Sequence, residues 1–274
     1  MQMYAHKSTI YGRMKTVLTV LTILHIILFS GCNSNSRKDN GAMVEKVTPE
    51  CTITIEEEKE KKVRKPHTGN VKEFFLDYAQ SHPSTLVRLK TRLGDIDIKL
   101  YEETPIHRGN FLYNINQELY DQTIFYRVVP NFMIQGGNSD HDKTLEKREE
   151  EAAYYIPNEC QPHLIHKRGA LAMAMSYDDN PEKKSAQYSY YIVIGTRLSE
   201  DGLYAVEDEY GIKISQENRK TYSNIGGTPH LDGVHTVFGE VVKGMEVVIA
   251  ISNEKRDSGD WPINDVLIEC EVLN

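Results

Sequence analysis

From residue 86 onward, apolar and polar positions alternate in short runs. Leu86, Val87 and Leu89, then Ile96, Ile98 and Leu100, are interleaved with Arg88, Lys90, Asp95, Asp97 and Lys99, and Leu93-Gly94-Asp95 lies between the two runs. A period of two marks a strand with one buried face and the glycine marks a turn, so this segment is predicted as a β-hairpin. Further short apolar runs fall at 123–129, 170–175, 190–194, 236–241 and 266–273. The last alternates cleanly through Val266, Ile268, Cys270 and Val272. Helical spacing is rarer. Val71, Phe74, Phe75 and Tyr78 fall on one helix face, with Asn70 as cap and Ser81-His82-Pro83 as stop, which predicts a helix within residues 70–84. That face is expected to pack on the domain that follows; binding a partner is the alternative. Thr104-Pro105 reads as the cap and first residue of a second helix, with Phe111, Leu112 and Ile115 on its apolar side. A third is expected over 245–251, after Gly244. Many short strands and few helices predict a mainly β chain, a closed antiparallel barrel with helical caps.

The first 31 residues follow a different logic. Lys7, Arg13 and Lys15 precede an apolar run from Val17 to Phe29. That run is short for a membrane span of ~20 residues but suits the core of a signal peptide. It ends Leu28-Phe29-Ser30-Gly31-Cys32, which resembles a bacterial lipobox with Phe29 where Leu is usual. The resemblance implies removal of residues 1–31 and lipidation of Cys32, with an uncleaved anchor or an ordinary secretory signal as alternatives. Asn33 follows the cysteine, which favours the outer membrane of a Gram-negative envelope, the domain facing the periplasm or the surface. Residues 32–69 read as a flexible tether, with Ser, Asn and Gly near its start and a charge run from Glu56 to Lys65. Thr52-Ile53-Thr54-Ile55 alternates but is read as linker rather than strand.

Composition narrows the function. The 274-residue chain carries a net charge of −8. So acidic a surface lacks the basic footprint that nucleic-acid binding needs. Its four cysteines, Cys32, Cys51, Cys160 and Cys270, form no CxxC pair and are too sparse for a disulfide framework. They read as isolated thiols, with a Cys51–Cys160 or Cys160–Cys270 bridge as the alternative. Cys160, His163 and His166 have the spacing of zinc ligands but lack a fourth nearby, so no metal site is expected. Asp140, His141 and Asp142 read as an exposed polar loop.

Three segments carry chemistry. The first runs Phe125-Tyr126-Arg127-Val128-Val129-Pro130-Asn131-Phe132-Met133-Ile134-Gln135-Gly136-Gly137-Asn138. With a bend at Pro130-Asn131 it gathers an arginine, two apolar side chains and a glutamine, a group able to hold a small apolar ring beside a carbonyl. A buried strand with one structural arginine is the alternative. The second is Gly169-Ala170-Leu171-Ala172-Met173-Ala174, and the third is His230-Leu231-Asp232-Gly233-Val234-His235-Thr236-Val237-Phe238-Gly239-Glu240-Val241.

In this order the three segments resemble the cyclophilin family, as do Thr104-Pro105 and Asn110-Phe111, and the resemblance covers residues 85–274. It implies an eight-stranded antiparallel barrel capped by two helices, peptidyl-prolyl cis–trans isomerase activity, no cofactor and a monomer. Position by position, Arg127 matches the catalytic arginine. Phe132 and Met133 match the floor and wall of the proline pocket, and Gln135 and Ala174 match contacts to the substrate backbone. Tyr191, Leu231 and His235 match further pocket residues. The sequence departs from the pattern in four places. Met175 replaces an Asn, Ser189 replaces a second Gln for which Gln187 could substitute, and His230 replaces a Trp important for cyclosporin binding. Residues 197–226 form a long insertion, rich in charge and tyrosine, where the family often has a short turn. The resemblance implies proline-containing polypeptides as partners, assisted in folding outside the cytoplasm. The main rival reading is a barrel that binds such segments without turning them over.

Overall fold

The computed structural model describes residues 64–273. The predicted signal peptide, Cys32, Cys51, most of the predicted tether and the 52–55 alternation lie outside the described residues. In chain order the elements are α1 (Val71–Ser81), β1 (Leu86–Thr91), β2 (Gly94–Leu100), α2 (Pro105–Asn116), β3 (Thr123–Val129), β4 (Met133–Asn138), α3 (Asp142–Glu149), β5 (Ala170–Met173), β6 (Tyr190–Val193), α4 (Glu200–Tyr210), α5 (Gln216–Asn224), β7 (Val237–Lys243), α6 (Met245–Ser252) and β8 (Leu267–Leu273), with a one-turn 3-10 helix at Pro229–Leu231. None of these helices is long and apolar enough to cross a membrane.

The eight strands close into an antiparallel barrel in the order β1-β2-β7-β5-β6-β4-β3-β8. Closure leaves no unpaired sheet edge, which is how an all-antiparallel sheet avoids pairing with other chains. The predicted hairpin forms with Val87 opposite Ile98 and Leu89 opposite Ile96, all four fully buried. On the alternate positions Arg88 meets Asp97 directly across the strands, Nε to Oδ1 at 2.6 Å and Nη2 to Oδ2 at 2.9 Å. The core joins Leu100, Phe125, Ile134, Leu171, Tyr190, Ile192, Phe238 and Ile268 of the barrel to Phe111 and Leu112 of α2 and Val248 and Ile251 of α6. A second apolar cluster lies on the other side of the wall, built from Met133, Ala170, Ala172, Tyr191, Val193 and Val237.

Two helix starts differ from the expected caps. The Thr104 side chain makes no cap hydrogen bond and its hydroxyl is buried without a partner. The exposed amides of α2 are taken instead by Glu159, whose carboxylate accepts from the backbone N–H of Ile106 at 3.0 Å and of His107 at 2.8 Å. The same carboxylate lies 2.6 Å from His107 Nδ1. An acid at a helix N-terminus is favoured by both hydrogen bonding and the helix dipole, and here it comes from a distant loop. Asn70 likewise does not cap α1: its Oδ1 accepts from His67 N–H and its Nδ2 donates to the Lys65 carbonyl. Residues 64–69, read from the sequence as the end of the tether, are bound to the domain. Pro66 is buried, Lys65 pairs with Glu151 at 2.8 Å, and the Thr68 hydroxyl donates to the Ala153 carbonyl. α1 packs its aromatic face on α2, with Phe74, Phe75 and Tyr78 set edge-on to Tyr113 at 5.4 to 5.9 Å.

Three helices go beyond those expected. Asp142 opens α3 rather than extending a polar loop, though it remains exposed. The insertion forms α4 and α5, capped by Ser199 and Ser215 through their side chains and stopped after α4 by Gly211 at φ 64°. It has its own small core of Leu203, Ile214 and Tyr222 against Ile165. Arg219 is buried between the helices, where it pairs with Glu207 and with Glu200. The insertion leaves and rejoins the barrel at one point, since a side chain on Gly195 would put its Cβ 2.4 Å from Gly227 Cα.

These caps predict contrasting effects. Glu159→Ala leaves two helix amides and His107 without their acceptor, so it should cost about 3 kcal/mol or more at ~1–3 kcal/mol per unsatisfied buried group. Thr104→Val removes only a partnerless hydroxyl and should be neutral or stabilising. Urea unfolding of both variants checks the pair. Equal losses would mean that Thr104 carries the cap after all.

Candidate active site

The site begins with a bulge. Along β3, Phe125 pairs with Gly136 and Arg127 with Gln135, so Tyr126 has no partner of its own on β4. In a regular strand Arg127 would share the inward face of Phe125, because side chains repeat every second residue. The extra residue resets the count. Phe125 and Val128 are fully buried in the barrel, while Arg127 turns outward with 44% of its side chain exposed. The chain then reverses at Pro130-Asn131, with Asn131 at φ 62° and Phe132 N–H donating to the Val129 carbonyl. This is the bend expected from the sequence, and it carries Phe132 and Met133 back beside the arginine.

Register aligns the rest. Gln135 of β4 lies opposite Arg127 on one side and Tyr191 of β6 on the other, and Tyr191 lies opposite Ala172 of β5. Gly137 makes the close strand approach possible: it sits at φ 100°, and a Cβ there would stand 2.2 Å from the Tyr188 carbonyl oxygen. A cavity of about 220 Å³ opens on this outer wall. It is smaller than the ~300–1,000 Å³ of typical drug-sized ligand pockets. Arg127, Phe132, Met133, Gln135, Ala174, Tyr191, Leu231 and His235 all line it, joined by Met175 and Tyr177.

Two expected site residues stand outside the cavity. Ser189 lies behind Gln135: its hydroxyl accepts from Gln135 Nε2 at 3.1 Å and lies 2.6 Å from Tyr126 OH. That contact occupies the amide nitrogen of Gln135 and leaves its carbonyl oxygen free to accept. Gln187 does not substitute, because its backbone carbonyl is held by Asn110 and Asn114 and its side chain donates to Tyr188. His230 flanks the cavity, its ring stacked on Phe132 with centroids 5.9 Å apart.

Behind the apolar wall runs a buried polar chain that the sequence reading did not foresee. Tyr222 of α5 donates to Asp232 Oδ2 at 2.6 Å, and Asp232 Oδ1 accepts from both the backbone N–H and Nδ1 of His166 at 2.9 Å. His166 Nε2 is then the acceptor for the Tyr191 hydroxyl, also at 2.9 Å. The spacing that suggested a metal ligand instead serves this chain. Cys160 approaches Thr236 and His163 approaches Glu103, so the three residues do not converge. Among the described residues Cys160 and Cys270 form no disulfide. Tyr177 was also missed, for nothing in its local sequence places it: its hydroxyl donates to His235 Nε2 at 2.7 Å. Asp260 was missed too, and lies 3.9 Å from Arg127 Nε.

Charge at the site is simple. Burial, with His166 and His230 nearby, lowers His235 to about 4, against the smaller opposing effect of the Met173 carbonyl that its Nδ1 contacts. His235 is therefore neutral near pH 7. Burial likewise holds the Tyr191 phenol well above its usual range, so it too stays neutral. Arg127 remains as a guanidinium at the rim of an apolar, uncharged cavity, loosely held by a single carboxylate.

The site is thus an apolar cleft on the outer wall of a closed antiparallel barrel, with one arginine at its lip. The comparisons specify it further. Residues 86–272 match the family described as cyclophilin type peptidyl-prolyl cis-trans isomerase/CLD. A peptidyl-prolyl cis-trans isomerase of Acinetobacter baylyi is 34% identical over 176 residues, which cover 64% of this chain and 76% of the relative. The crystal structure of a Cryptosporidium parvum cyclophilin type peptidyl-prolyl cis-trans isomerase shares the fold, at 21% identity and a TM-score of 0.50, covering 70% of this chain and 98% of that one. The chain belongs to the cyclophilin-type peptidyl-prolyl cis-trans isomerase family.

The lowered His235 makes a pH prediction. Its folded value lies below the ordinary ~6.5 of an unfolded histidine, so the unfolded state takes up the proton first as pH falls. The stability it contributes is complete above about pH 6.5 and is lost progressively toward pH 4. His235→Asn should reduce the loss between pH 6.5 and 4.5 by on the order of 2 kcal/mol, read from urea midpoints at each pH. Identical slopes in the two proteins would mean that His235 is not the source.

Proposed function

We propose that this chain interconverts the cis and trans forms of X–Pro bonds in extracytoplasmic polypeptides, with Arg127 stabilising the twisted amide. The observation that carries the reading is the register pair Arg127–Gln135 beside the apolar cavity. An X–Pro amide rotates against a barrier of ~18–20 kcal/mol because the nitrogen lone pair is shared with the carbonyl. Uncatalysed exchange takes ~10–100 s, although the isomers differ by only ~0.5–1 kcal/mol. When the bond is twisted, the nitrogen regains its lone pair and becomes an acceptor. A donor fixed opposite that position binds the transition state better than either ground state.

Arg127 supplies such a donor. Its guanidinium is a planar fork of several N–H groups, so one can hold the proline carbonyl while another points at the nitrogen. Phe132, Met133, Tyr191 and Leu231 clamp the ring against the outer wall of the barrel. The free carbonyl oxygen of Gln135 accepts a backbone N–H of the substrate, and the preceding carbonyl swings on the solvent side. No proton changes hands, which agrees with a pocket whose histidine and tyrosine are held neutral.

The sequence at Leu28–Cys32 supports the location. We assign Cys32 as the lipidated first residue of the mature chain. Each buried CH₂ of the acyl chains would contribute ~0.8 kcal/mol to membrane attachment. The acidic charge of the chain and the linker-like composition after Cys32 suit a domain held at the end of a tether, working on polypeptides in the envelope.

Arg127→Ala should slow exchange of a short X–Pro peptide by roughly 10- to 100-fold, the loss of a charge-assisted hydrogen bond worth ~1.5–3 kcal/mol. Because Arg127 stands on the outer wall with 44% of its side chain exposed, stability should change by no more than about 0.5 kcal/mol. NMR exchange spectroscopy measures the rate, and full activity in a folded variant would remove Arg127 from the mechanism. Separately, labelled palmitate should be incorporated by cells making the full chain and lost in Cys32→Ser. Equal labelling of the two would place the anchor elsewhere.

A further inference from the structure

The insertion reaches the rim of the proline pocket through a stack of three rings. Phe132 lines the cavity. His230 lies nearly parallel to Phe132, at 5.9 Å and 18°. Tyr210, the last residue of α4, lies nearly parallel to His230, at 4.8 Å and 27°. Tyr210 is 48% exposed, so the stack ends in solvent with an aromatic surface continuous with the pocket.

This surface is held in place. The Ser199 cap and Gly211 stop define the ends of α4, and Leu203 anchors the helix in the insertion's own core. The one-turn helix that carries His230 and Leu231 runs into Asp232, whose carboxylate is fixed from one side by Tyr222 and from the other by His166. A rigid aromatic side chain loses little conformational freedom when something packs on it, and that makes it an effective contact surface. Its distance from the pocket sets what can reach it. The two steps of the stack, 5.9 and 4.8 Å, correspond to at most about three residues of extended chain at ~3.3–3.6 Å each.

We propose that Tyr210, stacked on His230, forms a second subsite beside the proline pocket, which selects polypeptides carrying an aromatic or large aliphatic side chain within three residues of the proline. The occupant is a side chain of the same chain whose proline fills the cavity, because the ring stack that carries Tyr210 starts at Phe132 of the cavity lining. The insertion is then a selectivity element of the enzyme, and not a spacer. The inference rests on the pocket being the site of proline binding.

The test uses two peptide series around one proline, with Ala, Phe, Leu or Lys placed in turn at each of the three positions on either side. Exchange spectroscopy gives kcat/KM and chemical-shift titration gives Kd. In the native chain Phe or Leu at one or two positions should raise kcat/KM over Ala by about 2- to 12-fold. That factor corresponds to the ~0.5–1.5 kcal/mol of an aromatic pair at ~1.4 kcal/mol per decade. In Tyr210→Ala the Phe-to-Ala ratio should fall to near one. It should persist in Tyr204→Ala, which alters the same helix away from the stack. A ratio near one in the native chain, a ratio unchanged by Tyr210→Ala, or a preference for Lys would each overturn the subsite. If no peptide is isomerised, the catalytic reading fails on its own, and the same ratios read from Kd still decide the subsite.

Discussion

Tyr126 takes no partner across β4, and which side of the barrel wall Arg127 faces depends on that skipped residue. A closed sheet has two faces and a strict period of two, so every side chain must go to one face or the other. The inner face here is filled, and a guanidinium placed among Phe125, Ile134 and Ile268 would be a buried charge with nothing to offset it. The bulge keeps the hydrophobic count intact on both sides of itself and sends one cation outward. The same period gives β4, β5 and β6 their outer row, so the core and the cleft are two readings of one alternation. A slip of one residue in this part of the sheet would destroy both together.

The polar neighbours of the cleft are satisfied by one another. Ser189 holds the amide of Gln135, Tyr177 and the Met173 carbonyl meet the two nitrogens of His235, and His166 holds Tyr191. Each contact fixes the orientation of a side chain that lines or supports the cavity, and none needs a group to change its protonation state near neutral pH. Arg127 is the exception, with only Asp260 at 3.9 Å beside it, so the ordered wall and the freer guanidinium are separate parts of the site.

Much of this was legible in the sequence, for identifiable reasons. Strands with one buried face write their period into the chain, so the hairpin of β1 and β2 and the alternation of β8 could be read directly. The candidate pocket residues sit in contiguous motifs, and Phe132, Met133, Gln135, Leu231 and His235 line one cavity. What escaped reading depends on partners remote in sequence. Thr104 had the right type for a cap, but Glu159, fifty-three residues beyond Ile106, takes the helix amides. Ser189 stood where a glutamine was expected, and only the fold shows that it works through Gln135. The helices α4 and α5 are rich in charge and hide few apolar positions, so their periodicity was faint; Leu203 and Tyr222 are among the few residues that betray their buried sides.

The pinch at Gly195 and Gly227 has a consequence for what the barrel can carry at that point. Two chain ends already in contact can accept an added segment at almost no cost to the parent sheet, because loop-closure entropy grows only slowly with length. Thr196 and Gly227 form an antiparallel bridge at this pinch, and α4 and α5 lie in the segment between them. A segment joined at that point lies beside the cleft and adds no strand to the barrel. It is tied in afterwards by single side chains such as Tyr222. A segment held in this way can differ in length and sequence while the register of β4, β5 and β6, which aligns the cleft, is left unaltered.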